Sequence, residues 1–138
     1  MTSTSSAENI SETDAPGASD AVVFAHLEAT YGAELKSVLA LYLENSDALC
    51  ERLQTAASCA HWQEAVRVAI LIGREADALG FHPVATAARM LADAAYHADH
   101  AHRLRNDAQM VVFEYERFRL ALAARFPGMV ASMVVSVA

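Results

Sequence analysis

Glycine and proline are scarce, five and three in 138 residues. Turn-rich β folds need both at their corners, so the shortage favours long helices over a sandwich or barrel. Cysteine is rarer still. Cys50 and Cys59 lack the C-x-x-C spacing of a metal or redox site, and two reduced, semi-buried thiols are the expectation. Positive charge is also in deficit: ten Lys and Arg stand against seventeen Asp and Glu, a formal charge of −7, and no basic run gathers them. Phosphate-backbone binding needs a clustered basic face, which argues against DNA or RNA as the main ligand. No apolar run approaches the roughly 20 residues that cross a bilayer. The opening Met1-Thr2-Ser3-Thr4-Ser5-Ser6 has neither the basic nor the apolar region of a signal peptide. A cytoplasmic protein without a membrane or nucleic-acid partner is expected.

What the chain does have is alanine and aliphatic residues in helical rhythm. Hydrophobic residues make up 54%, enough for one compact core in a chain of this length. Residues 1–19, rich in Ser, Thr, Ala and acid, read as a disordered leader. Asp20 can cap a short helix through Val22, Val23, Phe24 and Leu27 that ends near Gly32. A second helix, about 33–59, places Leu35, Val38, Leu39, Tyr42, Leu49, Leu53 and Ala56 on one face. Asn45-Ser46-Asp47 is expected to interrupt it. A third, about 62–79, has the core stripe Ala65, Ala69, Ile72, Ala76 and Leu79, closed by Gly80.

Pro83 opens a fourth helix that buries Val84, Ala87, Ala88, Leu91 and Ala95. After a polar connection, about 97–105, Asn106 and Gln109 resemble a capping box for a fifth helix. Its inner face is Val111, Tyr115, Phe118 and Leu122, and Pro127-Gly128 ends it. Phe24, Tyr42, Phe113, Tyr115 and Phe118 are expected to fill the wider interior spaces, and the Ala-rich third and fourth helices to pack most closely. The architecture implied is all-α: an antiparallel four-helix bundle over residues 20–127 with a short extra N-terminal helix, then an apolar tail, 128–138.

Few residues carry chemistry. His97, Asp99, His100 and His102 have the donor types of a metal site, but they fall in a polar connection, and a mobile loop is the stronger reading. His82, just after Gly80, is weighed as a displaced phosphoacceptor and read as an ordinary polar residue at a helix start. Glu44, Asp47, Glu51 and Glu64 read as solvated helix faces rather than paired catalytic carboxylates. Neither a metal nor another cofactor is expected.

Ala60-His61-Trp62, the stretch from Ala69 to Gly80 (AILIGREADALG), the stretch from Pro83 to Leu91 (PVATAARML) and Leu41-Tyr42-Leu43-Glu44-Asn45 together resemble the histidine-phosphotransfer (HPt) family over about residues 21–126. With Trp62 and Gly80 held in register, the family's phosphoacceptor histidine falls on Ile70, its lysine on Gly73 and its glycine on Arg74. Isoleucine has no lone pair to accept a phosphoryl group.

At 100° per residue Ile70 points about 140° from Ala65, outward, with Val66 one turn before it as an exposed apolar partner. The resemblance thus implies an HPt-like, non-enzymatic adaptor that binds a response-regulator receiver domain or a histidine kinase. Its contact face would be Val66, Ile70, Gly73, Arg74 and Asp77, helped by Tyr42 and Asn45. The alternative is a helical interaction module unrelated to two-component signalling.

Overall fold

The computed structural model describes residues 16–95 and 101–127. The leader up to residue 15, the tail from 128, and His97, Asp99 and His100 lie outside the described residues. Every regular element among the described residues is helical: α1 (Pro16–Tyr31), a 3-10 turn (Gly32–Glu34), α2 (Leu35–Ser58), α3 (Trp62–Ala78), α4 (His82–Ala95) and α5 (Ala101–Arg125). None of these helices is long and apolar enough to cross a membrane. The chain divides at Leu35 into two compact units.

In the first unit, α1 starts at Pro16, four residues ahead of the expected Asp20 cap. Proline suits a helix start because its fixed φ is already helical and the N–H it lacks would have no partner there. Phe24 and Leu27 are its buried side chains, while Val22 is exposed.

The second unit holds α2 to α5, whose lengths and short connections fit a four-helix bundle. Helix α2 runs unbroken through Asn45-Ser46-Asp47, where an interruption was expected. The polar side chains there do not turn back on the backbone. Asp47 instead accepts hydrogen bonds from Tyr115 and Arg119 of α5, so the competition that weakens Asp in helices is removed. Helix α3 buries Ala65, Ala69, Ile72 and Ala76, with Leu79 just beyond it, as its periodicity requires, and adds Val68.

Two tight turns join α2 to α3 and α3 to α4 with the same hydrogen-bond pattern. In the first, His61 N–H donates to Ala56 O (2.8 Å) and Ala60 N–H to Ala57 O (3.2 Å). In the second, Phe81 N–H donates to Ala76 O (2.8 Å) and Gly80 N–H to Asp77 O (3.1 Å). Both are Schellman caps, which need one residue in the left-handed region. Gly80 fills that place at φ 87°, but in the first turn Ala60 does so at φ 57°.

Helices α3 and α4 approach closely because Gly73 lets them. A Cβ added there would stand 3.2 Å from Ala88 Cβ. Helix α5 begins at Ala101, so Asn106 and Gln109 are exposed positions inside it rather than its cap. Its buried face carries Leu104, Ala108, Val111, Tyr115, Phe118 and Leu122.

Phe113 is the exception among the aromatics expected inside: it is 59% exposed. Two positions from both Val111 and Tyr115, it sits about 200° round the helix from each. Among the described residues of the second unit the interior aromatics are Tyr42, Phe81, Tyr115 and Phe118. Tyr42 meets Phe81, Tyr115 and Phe118 at ring-centroid distances of 5.3, 6.3 and 5.9 Å, and Phe81 meets Phe118 at 3.7 Å. The three tilted or edge-on pairs that Tyr42 makes add to simple burial.

Candidate protein-binding groove

Because glycine and alanine bring α3 and α4 together, their outer shoulders leave a shallow groove of about 200 Å³. Ala69, Ile70, Gly73, Arg74 and Asp77 line it from α3, and Ala85, Ala88, Arg89 and Ala92 from α4. The floor is methyl groups, since Ala69, Ala85 and Ala88 are almost wholly buried. The walls are Ile70 and two guanidinium side chains.

Ile70 is 43% exposed, on the outer side of a helix whose core stripe is fully inside. Arg74, one turn on, is exposed, as is Asp77, whose Oδ1 lies 3.5 Å from Nδ1 of His82. His82 is itself exposed and opens α4.

Of the seven residues expected at a contact face, the groove gathers four: Ile70, Gly73, Arg74 and Asp77. The other three lie outside its lining. Val66 is half-buried and outside the groove lining, so it does not extend Ile70 into an exposed apolar pair. Tyr42 is only 4% exposed, locked among Phe81, Tyr115 and Phe118, and cannot meet a partner. Asn45 is exposed on α2 but contributes nothing to the groove lining. Gly73 has a different task from the one expected: it faces Ala88 and sets the helix spacing.

Arg89 is the residue that sequence reasoning missed. It belongs to the i, i+3/i+4, i+7 run Ala85, Ala88 or Arg89, Ala92 along the edge of α4's core stripe, which becomes a groove wall only once the pairing with α3 is known.

The groove lining holds no hydroxyl, thiol or imidazole. Apolar floor and arginine walls suit recognition of a partner carrying carboxylates, because a guanidinium presents a planar fork of donors to them.

A second, wider cleft of about 520 Å³ lies beside the α2–α3 turn, lined by Glu51, Arg52, Thr55, Ala56, His61 and Glu64. Its charges already answer one another. Arg52 Nη2 donates to Glu64 Oε2 at 2.8 Å and Arg67 Nη2 to Glu64 Oε1. The Arg52 bond, then the Arg67 bond, hold the Glu64 carboxyl below its ordinary range.

Inside the bundle, Tyr42 Oη, Ser46 Oγ and Glu75 Oε1 are buried without hydrogen-bond partners. Burial pushes the Tyr42 hydroxyl well above its ordinary value and raises the Glu75 carboxyl. Burial also pushes the Cys50 thiol up to about 12, too high to form a reactive thiolate. No group of three His, Cys, Asp or Glu able to hold a metal occurs among the described residues. Of the histidine cluster at 97–102, only His102 falls in a described helix, and its side chain is not among those described. No protein-family model matches the chain, and neither a curated protein nor a solved structure matches it.

Proposed function

We propose that this chain is a non-catalytic, HPt-like helical adaptor that docks the acidic pocket of a response-regulator receiver domain, or a histidine kinase, through the α3–α4 groove. The observation that carries the reading is Ile70. It stands 43% exposed at the position where the resembled family keeps a reactive imidazole, with Arg74 and Arg89 beside it. Two cations against one anion, Asp77, line the groove, a local positive excess in a chain with a formal charge of −7. They complement the carboxylates of a receiver pocket, and the isoleucine supplies contact area where transfer chemistry would otherwise occur. The protein would then occupy its partner and compete with a true phosphotransfer protein. A groove this small makes a modest, transient interface.

Titration calorimetry against receiver domains tests the proposal. Arg74→Glu is expected to weaken binding severalfold, and Arg74→Glu/Arg89→Glu further. Unchanged affinity in both removes the groove from the interface.

A second reading, a helical module unrelated to two-component signalling, is favoured by the exposed Phe113 and Leu120 on α5, which lie far from the groove lining in sequence. A pull-down that returns no receiver-containing protein supports that reading.

A further inference from the structure

Helix α5 has two apolar faces. One is buried, carrying Val111, Tyr115, Phe118 and Leu122. The other is outside: Met110, Phe113 and Leu120 are 49, 59 and 72% exposed. Scattered surface apolar residues are ordinary, but these are not scattered. With Arg117 they recur at intervals of three, four and three, the spacing of a helix–helix seam. At 100° per residue the four fall within an arc of about 80°, roughly opposite the buried face.

The charge in the middle of the stripe identifies what covers it. Arg117 is half-buried, and its Nε donates to Glu114 Oε1 at 3.1 Å. If a second α5 lay parallel, the two Arg117 side chains would meet in the seam and repel. Turned antiparallel, the stripe complements itself. Met110 faces Leu120 of the second copy, Phe113 faces Arg117 of the second copy, and the same two pairs repeat by symmetry. An arginine against a phenylalanine ring gains a cation–π contact where the parallel arrangement has a like-charge clash. This is the isologous surface a two-fold dimer requires.

We infer that α5 is a self-association surface, pairing antiparallel with α5 of a second copy about the Phe113–Arg117 contacts. The surface is separate from the α3–α4 groove and does not depend on the partner proposed for it. From Met110 to Leu120 the stripe is only about 15 Å long, so the dimer is weak and forms in a concentration-dependent way.

Sedimentation velocity of the full chain across the micromolar to millimolar range tests the inference. A monomer–dimer equilibrium is expected, and Phe113→Lys, which sets a second cation against Arg117, and Leu120→Glu are each expected to abolish it. These side chains are exposed, so thermal unfolding followed by circular dichroism should match wild type in dilute, monomeric solution. A wild type that stays monomeric throughout, or a dimer that survives both variants, overturns the inference.

Disulfide formation reads the register, in a Cys59→Ser background because Cys59 is exposed. Met110→Cys/Leu120→Cys is expected to give a covalent dimer, whereas Met110→Cys alone is not. Antiparallel pairing keeps the two thiols introduced by Met110→Cys about 15 Å apart along the axis, beyond disulfide reach. Self-linking of Met110→Cys alone overturns the antiparallel arrangement.

Discussion

Arg119 grips Asp47 with two hydrogen bonds, Nε to Oδ1 at 3.2 Å and Nη2 to Oδ2 at 2.9 Å, tying the last third of α5 to the middle of α2. Tyr115 adds a third, its hydroxyl donating to the same Oδ1 at 2.6 Å. One carboxylate thus satisfies donors from two successive turns of α5. It also raises the guanidinium pKa of Arg119 further, chiefly through their hydrogen bond. Asp47→Ala leaves a half-buried guanidinium without its acceptor and the Tyr115 hydroxyl with only its longer bond to Leu43 O, 3.3 Å. The expected cost is about 2–3 kcal/mol, against about 1 kcal/mol for Tyr115→Phe, which removes only one donor. Urea unfolding of both variants and of the double variant checks this. Independent, additive effects would show that the three residues do not act as a network.

The two Schellman turns form a natural comparison. Ala60 holds a left-handed conformation that costs a residue with a Cβ about 1–2 kcal/mol, whereas Gly80 holds the same kind of position at little cost. Ala60→Gly is therefore expected to raise stability by about 1 kcal/mol despite the extra freedom it gives the unfolded chain, and Gly80→Ala to lower it by a similar amount. Thermal unfolding midpoints moving in opposite directions are the expected result. A destabilised Ala60→Gly would mean that the left-handed backbone at that turn is not strained.

Helical periodicity made much of the core legible in advance. All five residues of the expected stripe from Ala65 to Leu79 are buried, as are Val111, Tyr115, Phe118 and Leu122. The failures came where residue type was read without its phase. Phe113 was placed inside because it is aromatic, yet its position on α5 puts it out. Tyr42 lies on the apolar face of α2, and only the family resemblance assigned it to a contact surface; the phase was the better guide. Local propensity favours a break at Asn45-Ser46-Asp47, but the bond partners of Asp47 lie some 70 residues away, at Tyr115 and Arg119. In the groove, Ile70 and Arg74 were legible from α3 alone. Arg89 was not, because knowing which edge of α4 flanks Gly73 requires the pairing of the two helices.

Placing a histidine at position 70 tests whether the groove can support the transfer chemistry of the resembled family. Ile70→His places an imidazole at an exposed position, and the fold should accept it. Efficient phosphorylation from a phosphorylated receiver is not expected. Gly73 supplies no cation where the resembled family has lysine, and Arg74 stands where that family has a residue without bulk. Acid-labile phosphate on the variant at a level comparable to an active transfer domain would refute this, and would identify the missing imidazole as the sole obstacle.

Glu75 predicts a pH effect of definite sign. One carboxylate oxygen is buried without a hydrogen-bond partner, and burial raises its pKa above the ordinary glutamate value of 4.5. The folded state therefore favours the protonated acid more than the unfolded chain does. Its contribution to stability is complete below that ordinary value and is lost as pH rises through the higher folded value. At neutral pH the ionised group is a liability, so Glu75→Gln should be more stable than wild type there. The advantage should shrink as the solution is acidified and wild-type Glu75 takes up its proton. Urea midpoints measured for both proteins from mildly acid to neutral pH would show the two curves converging toward acid. Curves that run parallel would mean that Glu75 is as well solvated in the folded protein as in the unfolded chain.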